Sequence, residues 1–454
     1  MASSRTGRRA ARGPKGSVFE VEVERLLHGP GSVARAPDGR VAFLDRGLPG
    51  ERVRVRVEED RRDYVRASVV RLLDPPSPER RSPPCEVVGL CGGCPWQSLQ
   101  YERQVQAKQE IVLGEVRRIC GVSPREILPP IHGEEWGGRH RIRLAVGPAT
   151  RAGEPPLVGY RPRRGRDVIP IEACEIARAE LSAALPLARR LAVLVPRLQE
   201  IELSVDDRAM LRFWGRCDAA RAPQAEALWE DLCAAAAEQD LHGATFAGLS
   251  LVSSRRAGDW RLDLGDVLQR IEVPPGLQIQ VPLGSFSQVN LDLNRKLVEA
   301  VVTAAGGPQG RVVLDLYCGA GNFSLPLAAA GARVLGVDSD ARAIACALSM
   351  AEAASLADRA RFVAGPAGLQ AFPELDEPPY AVVLDPPRAG ASAILPELLN
   401  LGPARIIYVS CDLATFCRDA RVLLGQGWAL SSLQLLDLTP QSYRAEIVGL
   451  FRLT

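Results

Sequence analysis

Three features of the chain predict an open, doubly wound α/β sheet in its carboxyl-terminal third. The run Arg311-Val-Val-Leu-Asp-Leu-Tyr317 is a buried-type strand that opens into a glycine-rich loop, Cys318-Gly-Ala-Gly-Asn-Phe-Ser324, and then into a helical stretch, Leu325–Ala330. Two later apolar runs, Ala381–Leu384 and Arg405–Val409, end in Asp385-Pro-Pro-Arg388 and in Ser410-Cys411-Asp412. Open sheets of this kind bind ligands at the carboxyl ends of their strands. Loop, rigid turn and thiol are therefore expected to face one crevice.

The 454 residues are too many for one ordinary core and enough for two to four domains. Hydrophobic content of 46% and charged content of 24% are those of a soluble globular protein. No apolar run approaches the roughly 18 residues of a membrane helix. The Arg-rich amino terminus lacks an apolar signal core, so a cytoplasmic location without membrane partners is expected. The net charge of +2 identifies no partner. Its distribution is more informative, because Lys and Arg concentrate in residues 1–16, Arg52–Arg71 and Arg139–Arg166. Clustered cations fit a phosphate-backbone binder, and equally a solvated surface. Eleven cysteines, an odd number, favour a reducing compartment with metal or catalytic roles over a disulfide framework.

Residues 1–16 read as a flexible basic arm. Residues 17–73 read as a small OB-like β-barrel, with β-rich pieces at Val18–Val23, Arg40–Phe43, Arg52–Val57 and Tyr64–Val70 between Gly and Pro turns. Such barrels commonly hold single-stranded nucleic acid. Residues 74–84 form a Pro-rich linker. Residues 85–284 form a central α+β region with a cysteine cluster, a helix near Leu99–Cys120, basic strands around Arg139–Leu144 and Val168–Ile171, and Ala-rich helices at Arg178–Leu194 and Ala225–Gln239. Residues 285–454 form the final α/β domain.

In the glycine-rich loop, Gly319 and Gly321 let the backbone turn tightly and approach a ligand. The next strand, Arg333–Val337, ends in Asp338, nineteen residues after Gly319, where a carboxylate can accept both ribose hydroxyls of an adenosine. Nicotinamide enzymes use a similar design. Here Ser324 replaces the third glycine of the dinucleotide fingerprint, and Asp315 lies inside the strand. Both favour a methyl-sulfonium donor, and so the class I S-adenosylmethionine-dependent methyltransferase fold.

A pyrimidine C5 is a poor nucleophile until a thiolate adds at C6 and generates an enolate. The C5 position then takes a methyl group, a base removes the C5 proton, and the thiolate leaves. Cys411 supplies the thiol, and a helix starting near Asp412–Thr415 is expected to lower its pKa, provided Asp412 caps that helix. Glu446, just before the closing strand Ile447–Leu453, is the candidate base.

The order Phe286-Ser-Gln288-Val-Asn290, Asp315-Leu-Tyr-Cys-Gly-Ala-Gly-Asn-Phe323, Asp385-Pro-Pro-Arg388, Ser410-Cys411 and Pro440–Glu446 resembles the RNA 5-methyluridine methyltransferases from the barrel onward. By matched position, the resemblance implies S-adenosylmethionine contacts at Gln288, Tyr317, Asn322, Asp338 and Asp385. It also implies Cys411 as nucleophile and Glu446 as proton acceptor. The barrel resembles the TRAM module of that family. Asp412 stands where the family usually has Asn, Arg444 where it usually has His, and Gly365 near a position that often carries a polar cofactor contact.

Cys85-x5-Cys91-Gly-Gly-Cys94 follows the linker, and Cys174 lies far downstream. Four thiolates hold zinc or an iron–sulfur cluster. This spacing resembles the four-iron four-sulfur site of a subset of the methyluridine enzymes, with Cys174 as fourth ligand and a structural or RNA-positioning role. Cys318 reads as packing, and Cys120, Cys217, Cys233, Cys346 and Cys417 as core residues.

The expected protein is a cytoplasmic, monomeric uridine-C5 methyltransferase. RNA backbone would lie across Arg139, Arg141, Arg143, Arg163 and Arg164, with the target base splayed into the crevice. By analogy with cluster-bearing relatives, large-subunit 23S ribosomal RNA is favoured over transfer RNA. A cytosine-C5 methyltransferase and a non-catalytic RNA-binding or assembly factor are the alternatives. An amino-adenine methyltransferase is disfavoured, because its Asp-Pro-Pro turn usually ends in an aromatic where Arg388 stands.

Overall fold

A computed structural model describes residues 15–151, 153–163, 165–254, 260–368, 375 and 377–453. Most of the basic arm, residues 1–14, and Arg164 lie outside the described residues. The chain divides into two compact units. One comprises residues 1–89, 93–111 and 441–444; the other comprises residues 90–92, 112–440 and 445–454.

The first unit contains a closed five-stranded barrel. Its strands are β1 (Val18–Leu26), β2 (Ser32–Arg35), β3 (Val41–Leu44), β4 (Arg52–Asp60) and β5 (Tyr64–Leu72), in the order β1-β2-β3-β5-β4. Strand alternation builds the core: Val53, Val55 and Val57 of β4 point inward, while Arg54 and Arg56 between them do not. Sequence reasoning missed β2, a four-residue strand entered through Gly31. A β-carbon at Gly31 would collide with Leu44 O, so only glycine lets the chain fold back there. The Pro-rich segment is pinned rather than loose, because Arg80 makes a two-pronged pair with the buried Glu51 at 2.6 and 2.7 Å. Helix α1 (Tyr101–Cys120) begins in this unit. There Gln104 donates to Trp96 O, Leu99 O and Gln441 Oε1, and accepts from Gln441 N, which fixes the 441–444 segment.

In the second unit, β6 (Glu126–Ile127) precedes a seven-stranded sheet of order β13-β12-β11-β10-β7-β8-β9. Its strands are β7 (Arg141–Gly147), β8 (Leu157–Tyr160), β9 (Ile169–Pro170), β10 (Leu198–Val205), β11 (Met210–Cys217), β12 (Thr245–Ser253) and β13 (Arg261–Gly265). Helices α2 (Ala179–Ala183) and α3 (Leu185–Leu194) stand where one helix is expected from the sequence. Pro186 explains the break: a proline fits the first turn of α3 but not a helix interior. Helix α4 (Ala225–Ala237) follows β11.

A hairpin of β14 (Leu268–Val273) and β15 (Leu277–Pro282) leads into an eight-stranded sheet. The chain continues through α5 (Leu291–Ala305), β16 (Val312–Leu316), α6 (Ser324–Ala329), β17 (Arg333–Asp338), α7 (Ala341–Ala353), β18 (Ala360–Ala364), β19 (Ala381–Leu384), α8 (Leu395–Asn400), β20 (Arg405–Ser410), α9 (Leu413–Gly425), β21 (Trp428–Leu436) and β22 (Glu446–Leu453). The sheet order is β18-β17-β16-β19-β20-β22-β21-β6. Strands β16 to β20 are parallel, and β22 runs antiparallel to both β20 and β21. Residues of β16, β19 and β20 are almost wholly buried, which is why they read as unbroken apolar runs. Strand order reverses at β16, between β17 and β19, where an open sheet leaves a crevice. Among the described residues, no helix is long and apolar enough to cross a membrane.

Candidate active site

The crevice at the reversal is lined by Gln288, Tyr317, Gly319, Asn322 and Asp385, together with Phe286 and an apolar wall of Ile271, Ile279 and Val281. Five of the residues expected at the cofactor thus share one cavity. Asp338, at the end of β17, joins them through Gly319, whose N–H it accepts at 2.9 Å. Its other oxygen accepts from Asp340 N at 2.8 Å. A carboxylate held by two N–H groups still has lone pairs for ribose hydroxyls. Tyr317, Gly319 and Gly321 all adopt left-handed backbone, with φ of 66°, 55° and 87°, so the loop curls back on the strand end.

Several supporting residues carry no sequence signal. Asn294 on α5 and Asn322 exchange amide hydrogen bonds at 2.8 and 3.0 Å, which fixes the Asn322 side chain. Arg141, its side chain only 12% exposed, donates to Ser285 O and Ser287 O, holding the segment that carries Gln288. It also lies 3.5 Å from Glu202, the same carboxylate that Arg143 engages at 2.7 Å. These two arginines of the expected RNA surface are therefore committed to internal pairs. Arg141 in particular supports the site rather than offering a free cation.

Ser324, which takes the place of a third glycine, donates to Asp315 Oδ2 at 2.5 Å inside the core. Burial raises the Asp315 carboxyl to about 7 against the opposing Ser324 bond, and the nearby Asp385 and Asp338 charges raise it further. A carboxyl whose pKa is higher in the folded state binds its proton more tightly there. Its stabilising effect is complete below the unfolded pKa near 3.8 and is lost as pH rises through about 7. Asp315→Asn keeps an acceptor for Ser324 without the charge. We expect it to melt like the wild type near pH 4 and to be more stable by about 2–4 kcal/mol above pH 7, as read by thermal unfolding across that range.

At the other edge of the crevice, Cys411 directly follows β20, Asp385 directly follows β19, and Glu446 opens β22. Strands β19 and β20 are neighbours, and the antiparallel register pairs Ser410 with Ile447, so Glu446 arrives beside the thiol. Cys411 is exposed, Asp385 is partly accessible and Glu446 is buried. Desolvation pushes Asp385 up to about 7, and desolvation together with the Asp385 charge pushes Glu446 well above the usual carboxylate range.

Asp412 does cap α9, its side chain accepting from Thr415 N at 2.9 Å. The thiol nevertheless does not fall as expected. Desolvation, then the charges of Glu446 and Asp385, raise it, and a hydrogen bond from Arg388 only partly opposes them. Desolvation, with the two carboxyl groups at the thiol, outweighs a helix terminus whose partial charge is only about half a unit.

The Arg388 turn is itself locked. Buried Asp419 of α9 accepts from Ala391 N at 2.6 Å and Tyr408 OH at 2.7 Å, and Gly390 has φ of 78° where a β-carbon would collide with Arg418 and Asp419. Asp419→Ala leaves two buried donors unpaired. It should cost about 2–4 kcal/mol in denaturant unfolding and lower turnover by loosening this turn.

The cysteine cluster is less defined. Cys91 pairs with Pro162 in an isolated bridge, and Tyr160 OH donates to Cys174 Sγ at 3.3 Å. The Tyr160 hydroxyl is raised by burial and by both of these thiols. Among the described residues, no group of three or more His, Cys, Asp or Glu side chains is arranged to hold a metal ion.

Comparison with known proteins agrees with this architecture. The TRAM domain model matches residues 14–70, and the tRNA (Uracil-5-)-methyltransferase model matches residues 235–363. A protein of Alkalilimnicola ehrlichii named 23S rRNA (uracil(1939)-C(5))-methyltransferase RlmD is 33% identical, over 98% of this chain and 99% of its own length. One of the same name from Pseudomonas aeruginosa is 33% identical over 97% and 96%. Among solved structures, Pyrococcus abyssi tRNA (uracil-54, C5)-methyltransferase in complex with S-adenosyl-L-homocysteine aligns with a TM-score of 0.69, covering 95% of this chain and 100% of that one. At 21% identity, that likeness speaks for the fold. With a third of its residues identical to such enzymes over nearly its whole length, the chain belongs to the RNA uracil-C5 methyltransferase family.

Proposed function

We propose that the protein, acting as a monomer, methylates C5 of a uridine in 23S ribosomal RNA with S-adenosylmethionine bound in the crevice. The observation that carries this reading is the convergence of Cys411, Asp385 and Glu446 on one edge of the cavity lined by Gln288, Tyr317 and Asn322. The residues present fit an adenosyl cofactor: the glycine loop keeps the backbone low, and Asp338 retains free lone pairs. When bound, S-adenosylmethionine supplies an electrophilic methyl group. The Cys411 thiolate adds to uracil C6, the C5 carbon so activated accepts the methyl, Glu446 takes the C5 proton, and Cys411 leaves. Ribosomal RNA is preferred over transfer RNA because full-length relatives carry that name.

A uridine bearing fluorine at C5 tests the chemistry, since fluorine cannot leave as a proton does. RNA containing it should form a covalent complex with the protein that needs both S-adenosylmethionine and Cys411. A complex formed equally well by Cys411→Ala would contradict the assignment.

The reading includes a four-iron four-sulfur cluster on Cys85, Cys91, Cys94 and Cys174. Its support is the Cys-x5-Cys-x2-Cys spacing and the meeting of Cys91 and Cys174 at Tyr160. No step of methyl transfer uses it. Iron and acid-labile sulfide in protein purified without oxygen, against a Cys91→Ser variant, test it.

A further inference from the structure

We propose that Cys120 and Cys417 are an oxidant-sensitive thiol pair that closes to a disulfide in the presence of a hydroperoxide. The two lie 297 residues apart in sequence. Cys120 is the last residue of α1, and Cys417 sits in the second turn of α9. Cys120 Sγ donates to the backbone carbonyl of Cys417 at 3.5 Å, and each thiol shifts the titration of the other. Neither lines the cofactor crevice, so methyl transfer gives no reason for the pairing.

The surroundings distinguish the two sulfurs. Cys120 is half-buried and accessible, and the Cys417 bond, with the Arg421 charge, lowers its thiol despite desolvation. Cys417 is wholly buried, and its thiol is raised by the Cys120 bond and by desolvation, with Glu115 adding to the rise and Arg118 opposing it. Cys120 is therefore the sulfur that meets the oxidant, and Cys417 is the one that resolves the product. The Cys120 thiolate attacks the peroxide O–O bond, giving a sulfenic acid and hydroxide. The Cys417 sulfur then displaces the sulfenic oxygen as water, its proton leaving with it. Two electrons pass from the thiols to the peroxide, and one S–S bond forms. Cys417 lies six residues after Cys411, so the link ties the helix that follows the nucleophile to the end of α1.

The test uses the full-length Cys411→Ser protein, which removes the exposed thiol that would compete for oxidant. It is treated with hydrogen peroxide, alkylated, digested without reductant and mapped by mass spectrometry. The expected result is loss of alkylation at Cys120 and Cys417 together, with one peptide pair joined through these residues and released by dithiothreitol. With Cys417→Ser added, the same treatment should leave a dimedone-reactive sulfenic acid on Cys120. Recovery of both residues as alkylated thiols, or a Cys120 link to another cysteine, would overturn the proposal.

Discussion

Cys411→Ala should lower methyl transfer to a 23S RNA fragment by roughly 10⁴-fold or more, as is typical when a covalent nucleophile is removed. The reason is electronic. Without addition at C6, nothing in the crevice makes the C5 carbon nucleophilic, and the remaining groups only position reactants. Because Cys411 is exposed and lies just beyond the end of β20, removing its side chain leaves no cavity. The variant should therefore retain the wild-type melting temperature and RNA affinity. Single-turnover transfer of a labelled methyl group measures the loss; activity within tenfold of wild type would refute the nucleophile assignment.

Glu446→Gln should slow turnover by roughly 10²–10⁴-fold, the usual contribution of a positioned base. Its signature differs from that of Cys411→Ala. Addition and methyl transfer still proceed, so methylated RNA should accumulate covalently joined to Cys411, where it is visible by denaturing electrophoresis. The pH dependence follows from the raised groups. Cys411 and Glu446 must both be deprotonated to act, and both are held above their ordinary values in the free protein. The kcat/KM of the wild type should therefore rise with pH through the neutral range, and Glu446→Gln should lose the part of that rise owed to the carboxyl. A flat profile in the wild type would contradict this electrostatic picture.

The grouping of the candidate site residues at the crevice was legible because each stands at a marked strand end. Apolar runs announced β16, β19 and β20, and the residues immediately after them are those that meet at the crevice. The Asp412 cap was equally local, within three residues of its partner. What could not be read depends on neighbours brought from far away. Asn294 orients Asn322 across 28 positions, Arg141 supports Ser287 across 146, and Cys120 meets Cys417 across 297. The direction of the Cys411 shift failed for the same reason. A helix end is visible in the sequence, whereas desolvation of the thiol and the simultaneous approach of Glu446 and Asp385 are properties of the folded sheet. Pro186 was visible, but its power to divide α2 from α3 depended on where the helix began.

The most direct test of the central claim is nucleoside mass spectrometry of ribosomal and transfer RNA, fractionated separately, from cells with and without this gene. The account predicts loss of 5-methyluridine from the large-subunit ribosomal fraction alone, restored by the wild-type gene and not by Cys411→Ala. Unchanged 5-methyluridine in every fraction, or loss of 5-methylcytidine instead, would contradict it.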